Sequence, residues 1–250
     1  MTPAVTLNGV VKRYATARAL AGLTLDVERG EMFGLIGPDG AGKTTAIRLM
    51  CGLLHADKGE VRVLGHDPVA AHRRISEQVG YLSQRFSLYG DLTIDENIAF
   101  FAEVHGVSRY HARRDQLLEM TQLTPFRKRL ADRLSGGMKQ KLALACTLVH
   151  EPTLLLLDEP TTGVDPVSRR EFWKLLSESL SRGITILMST PYMDEAERCT
   201  RVALVHEGRT LAVDEPSTLR ALMPGPAGRR VPPSLEDVFI AKLAEQEAKP

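Results

Sequence analysis

The sequence predicts an α/β fold whose core of buried strands and helices is interrupted by a helical insertion. Three observations predict it. Short continuous apolar runs, residues 32–36 (MFGLI) and 154–157 (LLLL), have the pattern of strands buried on both faces. A glycine-rich stretch follows the first run and leads into helix-forming residues. From Arg85 to about Leu134 the texture becomes helical, after which strands and helices alternate again.

Taken in order, Val5 and Leu7, then Leu23, Leu25 and Val27, alternate with polar residues at the period of half-buried strands. After the 32–36 strand and the glycine-rich stretch, KTTAIRLMCGLL reads as a helix ended by the His55–Gly59 loop, and EVRVLG and VGYLSQ as two more strands. Thr93 and Glu96 stand in capping-box spacing before IAFFAEVH, with Gly106 as its C′ residue. Ser108 is the expected cap of a second helix running through DQLLEMTQL. The many arginines of this block suit a solvated helical face. TLLLLD is a buried strand. Asp165-Pro166 is an N-cap followed by proline at N1, opening a helix with Phe172, Leu175, Leu176 and Leu180 on one stripe. GITILMS is the next strand, and RVALV and RTLAV are two final strands joined by a tight turn at His206–Gly208. A Pro/Gly/Arg-rich linker at 223–233 precedes a C-terminal helix and tail at 234–250, capped by Ser234 with Asp237 at N3.

Composition narrows the class. At about 150 residues per domain the chain allows one large domain or two small ones. An apolar content of 43% with 25% charged residues is ordinary for a folded protein and argues against disorder. The formal charge of +1 gives no whole-protein field for gripping nucleic acid or an anionic membrane. Cys51, Cys146 and Cys199 are odd in number and far apart, which suits buried thiols in a reducing cytosol better than a disulfide framework or a metal site. No apolar run approaches the roughly 20 residues of a membrane span. The opening MTPAVTLNGVVKRY has no signal-peptide core. A soluble chain that deals with a membrane through a partner is the expectation.

Two motifs carry chemistry. Gly37-Pro38-Asp39-Gly40-Ala41-Gly42-Lys43-Thr44 fits the phosphate-binding pattern G-x-x-x-x-G-K-[ST], placed after a strand and opening a helix. Its glycines let backbone N–H groups converge on phosphate oxygens, and the helix N-terminus adds unpaired donors. Lys43 is expected to reach the β- and γ-phosphates, and the Thr44 hydroxyl to ligate Mg²⁺. Leu154–Asp158-Glu159 is the complement: a hydrophobic strand ending in a carboxylate at the sheet edge where ligands bind. Asp158 is expected to orient the magnesium shell, and Glu159 to polarise the attacking water as general base.

With Leu134-Ser135-Gly136-Gly137-Met138-Lys139-Gln140 added, the chain closely resembles the nucleotide-binding subunit of ATP-binding-cassette (ABC) transporters, over residues from about Val5 to Leu222. Locally this run is a serine-capped helix N-terminus with two glycines, a second anion-binding surface. The resemblance implies a P-loop NTPase (RecA-like) core with an N-terminal antiparallel β subdomain and a helical subdomain inserted at about 85–150, all within a domain at 1–222. It implies ATP and Mg²⁺ as ligands, with the nucleotide held by Gly37–Thr45 (Thr45 included) and by Tyr14 stacking on adenine. It further implies that Ser135, Gly136, Gly137 and Met138 contact the ATP of a second nucleotide-binding domain in a head-to-tail dimer. Gln84 resembles the loop glutamine that touches Mg²⁺ and the membrane-domain contact, with Asp158 holding the metal through water. Asp165 resembles the loop that crosses to the opposite site, a role compatible with its helix cap. Tyr14 is also open to reading as a strand aromatic, and Gln84 as a polar strand end.

The insertion SLYGDLTIDENIAFFAEVHG, the YMDEAER run and the terminal SLEDVFIAKL resemble multidrug or antibiotic exporters with separately encoded membrane subunits; SLEDVFIAKL reads equally as a plain amphipathic end piece. The resemblance thus implies a transmembrane permease partner, no nucleic acid, and a cytoplasmic location on the inner face of the membrane. One departure stands out. Where the family usually places a γ-phosphate-contacting histidine, this chain has Pro191, which has no side-chain donor and no backbone N–H. Thr190 or Tyr192 is left as a substitute hydroxyl, and a slow or degenerate site in a heterodimer as the alternative.

Overall fold

The computed structural model describes residues 2–85, 87–222 and 233–247. In chain order the strands and helices are β1 (Val5–Arg13), β2 (Arg18–Val27), β3 (Met32–Ile36), α1 (Lys43–Met50), β4 (Lys58–Val63), α2 (His72–Ser76), β5 (Val79–Leu82), α3 (Ile94–Val104), α4 (His111–Met120), α5 (Gly136–Leu148), β6 (Leu154–Asp158), α6 (Pro166–Ser181), β7 (Thr185–Thr190), α7 (Met193–Ala196), β8 (Arg201–His206), β9 (Arg209–Asp214), α8 (Pro216–Ala221) and α9 (Leu235–Glu247). Most of the predicted linker lies outside the described residues.

Two sheets organise the chain. The smaller has the order β2-β1-β4 and is antiparallel throughout, matching the expected N-terminal β subdomain. The larger has the order β5-β6-β7-β3-β8-β9, parallel except for β9, which returns from β8 as a hairpin. Every residue of β3, β6 and β7 is buried, which explains the apolar runs MFGLI, LLLL and ILM within them. The two-residue period of the strand then sorts side chains between two cores. Met32 and Ile36 face the core shared with α3, α5 and α6, whereas Phe33 and Leu35 face the one shared with α1 and the small sheet.

Helices α3, α4 and α5 stand between β5 and β6 in the chain. Helix α3 begins with both halves of the predicted capping box: Glu96 N–H donates to Thr93 Oγ1 at 3.2 Å and Thr93 N–H to Glu96 Oε2 at 2.8 Å. Gly106, at φ 70°, ends it, and Val107 N–H returns to Ala102 C=O at 2.8 Å. The second helix differs from expectation. It starts at His111 after Tyr110, not at Ser108, and no side chain caps it. The Tyr110 ring instead stacks on His111 at 4.4 Å, and Ser108 stays in the connecting turn.

Sheet order places the chemistry. Because β7 lies between β6 and β3, the segments following three neighbouring parallel strands open at one edge: Gly37 onward, Glu159 onward and Pro191 onward. Ile36 is in register with Thr190, and Asp158 with Ser189.

Candidate nucleotide site

The loop after β3 needs glycine for identifiable reasons. A Cβ on Gly37 would run into the Val205 carbonyl, so β8 is backed tightly against the loop. Gly42, at φ 98°, is the left-handed residue from which α1 starts, and a Cβ there would meet the Ala19 carbonyl. Lys43 follows as the first helical residue. The residue is 4% exposed and its Nζ is fully engaged: it donates to Gly37 C=O at 2.8 Å and Pro38 C=O at 3.0 Å, and pairs with Glu159 Oε1 at 3.1 Å. Pro38, Asp39, Gly40 and Ala41 complete the loop, and Thr44 and Thr45 lie in the first turn of α1.

The two carboxylates after β6 are both buried and differently held. Thr44 Oγ1 donates to Asp158 Oδ1 at 3.1 Å, and Ser189 Oγ donates to the same oxygen at 2.8 Å. Burial still drives the Asp158 carboxyl above the ordinary aspartate range, against the pull of those two hydrogen bonds. Glu159 sits at φ 49°, with its N–H donating to Ser189 Oγ at 3.0 Å. Its Oε2 accepts Gln84 Nε2 at 3.0 Å, which brings the residue two places beyond β5 onto the same carboxylate as Lys43.

The oxygen set suits a hard divalent cation. A threonine hydroxyl and a buried carboxylate in hydrogen-bond contact, the carboxylate short of positive charge, fit Mg²⁺ shared with substrate phosphates. Among the described residues no cluster of three or more His, Cys, Asp or Glu could hold a metal, so a caged protein-only site is not what this geometry offers.

The Ser135 turn is a separate surface. Ser135 caps α5 by accepting Met138 N–H at 3.3 Å, and a Cβ on Gly136 would meet nothing within 4 Å. A Cβ on Gly137, by contrast, would run into Ser168 on α6. Among the described residues no hydrogen bond joins Ser135–Met138 to the Gly37–Thr45 loop. Asp165 caps α6 by accepting Val167 and Ser168 N–H, both at 3.0 Å. Tyr14 lies in the turn after β1, hydrogen-bonded to Ala17 in both directions, with the residue 44% exposed; it is not a buried strand aromatic.

At Pro191 the structure narrows the choices. The Thr190 hydroxyl is spent on Glu195 Oε2 at 2.7 Å, inside the protein. The Tyr192 ring lies under the Arg169 guanidinium at 4.7 Å. The sequence patterns assign no individual role to three polar residues here: Ser189, Glu195 and Gln140, whose Nε2 donates to Pro160 C=O from the second turn of α5. A serine ending an apolar run was the one available signal for Ser189.

A largely parallel sheet with a phosphate-binding loop and an acid pair on two strands flanking a third, plus a glycine-rich helix start, defines a P-loop nucleotide-binding cassette. The sequence pattern of ABC transporters matches residues 20–162, and the chain belongs to that family. It is 49% identical over 226 residues to the probable multidrug ABC transporter ATP-binding protein YbhF of Escherichia coli (strain K12), covering 88% of this chain and 39% of that protein. The chain therefore spans about two fifths of that relative's length. In three dimensions it is similar to an ATP-binding subunit of an ABC transporter, with TM-score 0.84 and 29% identity over 97% of this chain and 100% of the other. It is also similar to the dimeric ATP-binding cassette MJ0796 in a post-hydrolysis state with ADP and Pi, with TM-score 0.74 and 25% identity over 84% of this chain and 98% of the other.

Proposed function

We propose that this chain binds and hydrolyses ATP to power a membrane exporter, working as one half of an ATP-sandwich dimer. The observation that carries the reading is the convergence on Glu159: Lys43 and Gln84 hold its two oxygens, while Thr44 and Asp158 meet beside it. On binding ATP, Lys43 exchanges Glu159 for the β- and γ-phosphates, the loop amides of Gly37–Thr45 cradle the remaining oxygens, and Tyr14 offers its exposed ring to adenine. Mg²⁺ would be held by Thr44, Asp158 and Gln84, and would supply charge neutralisation for the phosphates. Glu159, freed of its ion pair, takes the proton of the attacking water.

The Ser135–Met138 surface, set apart from this loop, suits the γ-phosphate of ATP held by a second cassette, and Asp165 crosses at the same junction. The similarity to a dimeric cassette supports this arrangement. ATP then shifts the open–closed equilibrium by its greater affinity for the closed pair, and hydrolysis reverses the shift. The partner is a transmembrane permease, with this chain on the cytoplasmic face of the membrane. Among the described residues no helix is long and apolar enough to cross a bilayer. A largely apolar cavity of about 190 Å³, lined by Leu53, Tyr81, Phe101 and His105 among others, suits one or two apolar side chains of a docked permease helix. Similarity to a multidrug transporter subunit supports export of drugs or other hydrophobic compounds. Pro191 favours one variant of this reading: a slow site, paired with a second cassette that has the missing donor.

Turnover of MgATP by the purified chain, alone and with a permease, tests the proposal. Lys43→Ala removes the phosphate counter-ion and is expected to abolish ATP binding and hydrolysis. Near-normal turnover in that variant would overturn the assignment of the loop.

A further inference from the structure

The loop that lacks a histidine is held by a carboxylate further along the chain. Glu195, on α7 and 1% exposed, accepts two hydroxyl hydrogen bonds at Oε2: from Thr161 at 2.9 Å and from Thr190 at 2.7 Å. Thr161 lies in the turn that runs from Glu159 to Asp165. Thr190 ends β7 next to Pro191, and its oxygen also accepts Tyr192 N–H at 3.1 Å. One carboxylate oxygen therefore fastens the segment after β6 to the segment after β7, 34 residues apart in sequence from Thr161 and five from Thr190.

The other oxygen is unfinished. Glu195 Oε1 is buried with no hydrogen-bond donor, and Arg169 Nε, also buried without an acceptor, stands 3.7 Å away. That separation makes an ion pair but exceeds a hydrogen bond. Arg169 lies in the first turn of α6, the helix that Asp165 caps, and its guanidinium covers the Tyr192 ring. A half-satisfied buried carboxylate facing a half-satisfied arginine gains free energy if α6 and α7 approach by a fraction of an ångström.

We propose that Glu195 is a positioning residue for ATP hydrolysis: it yokes the Thr161–Asp165 turn to the Thr190–Pro191 loop, and its pairing with Arg169 completes the yoke when two cassettes close. The proposal rests on the ATPase reading. In a chain with proline at the switch position, the loop cannot be drawn into place by its own side-chain contact with the γ-phosphate. The yoke instead carries it along with the turn that meets the second cassette, and keeps Glu159, two residues before Thr161, aligned as the dimer closes. Glu195 touches neither nucleotide nor water in this scheme; it acts through the two threonines.

Three variants test this, each with steady-state MgATP kinetics and a melting curve. Glu195→Leu cuts the yoke and is expected to lower kcat about 10- to 100-fold, the size of effect that an ångström of misplacement gives, with KM for ATP little changed. Glu195→Gln keeps an oxygen that accepts both hydroxyls but turns an amide NH2 toward Arg169, so it is expected to restore part of kcat, between Glu195→Leu and wild type. Thr161→Val opens the yoke from the other side while leaving Glu195 in place, and should fall with Glu195→Leu; it carries the test if the leucine variant does not fold. A merely structural role would lower melting temperatures while leaving kcat per folded molecule unchanged. Wild-type kcat in Thr161→Val, or Glu195→Gln falling as far as Glu195→Leu, would overturn the yoke. Absence of turnover in wild type would instead overturn the ATPase reading.

Discussion

Lys43 is paired with its general-base candidate, and that pairing has a measurable cost for nucleotide binding. In the structure Nζ pairs with Glu159 Oε1 at 3.1 Å, the two side chains being 3% and 8% exposed. Phosphate oxygens must displace that contact. Glu159→Gln removes the carboxylate charge, while the Lys43 ammonium can still donate to the neutral amide oxygen. The change turns an ion pair into a hydrogen bond from one charged group, a loss on the order of 1 kcal/mol against about 1.5–3 kcal/mol typical of bonds to charged groups. At 1.4 kcal/mol per tenfold, the variant should bind nucleotide about fivefold more tightly. ADP isolates the effect, because it engages Lys43 through the β-phosphate but brings no γ-phosphate, no hydrolysis and no sandwich. Isothermal titration of ADP into wild type and Glu159→Gln, at a protein concentration where both are monomers, reads the ratio directly. Burial of the pair also predicts that the ratio survives moderate salt. An ADP affinity equal to or weaker than wild type would refute the idea that the pair competes with phosphate.

Two further predictions concern the neighbouring strands. With Thr190 committed to Glu195, no hydroxyl on that residue can stand in for the histidine, so Pro191→His should raise kcat, by up to about 10²-fold for one restored transition-state donor; an unchanged rate in single-turnover kinetics would show that the donor is not missing. Burial raises the Asp158 pKa above its ordinary 3.8, so the nucleotide-free protein loses stability from this group as pH climbs through the raised value. Relative to wild type, Asp158→Asn should therefore become progressively more stable from pH 3.8 upward in melts without Mg²⁺, and a pH-independent difference between the two would contradict it.

The parts legible in the sequence were those whose physics is local. Asp165, Thr93 and Ser234 each precede a helix whose first N–H groups they satisfy, and each cap forms as the spacing predicts. Ser108 shows the limit: serine placed before a helical pattern is permissive, and the return of Val107 N–H to Ala102 set the chain's exit from α3 so that the next helix began later. The phosphate-binding loop was legible because few residues other than glycine tolerate its geometry. Ser189 and Glu195 were not, because their meaning depends on partners about thirty residues away across the sheet, a relation that hydrophobic periodicity does not encode. The strand order that places β7 between β6 and β3 was likewise absent from any local pattern, although it is what brings Ser189 to Asp158.

The central claim is that each ATP site takes its phosphate-binding loop from one chain and its Ser135 surface from another. Complementation tests it most directly. Lys43→Ala damages only the first half, and Ser135→Arg, which puts bulk and a long side chain on the open turn, only the second. Each variant alone should be inactive. Mixed in equal amounts they should regain about a quarter of wild-type MgATP turnover, because about half of the dimers are mixed and each mixed dimer rebuilds one of its two sites. A mixture as inactive as its parents, under conditions where wild type dimerises and turns over, would contradict the shared site.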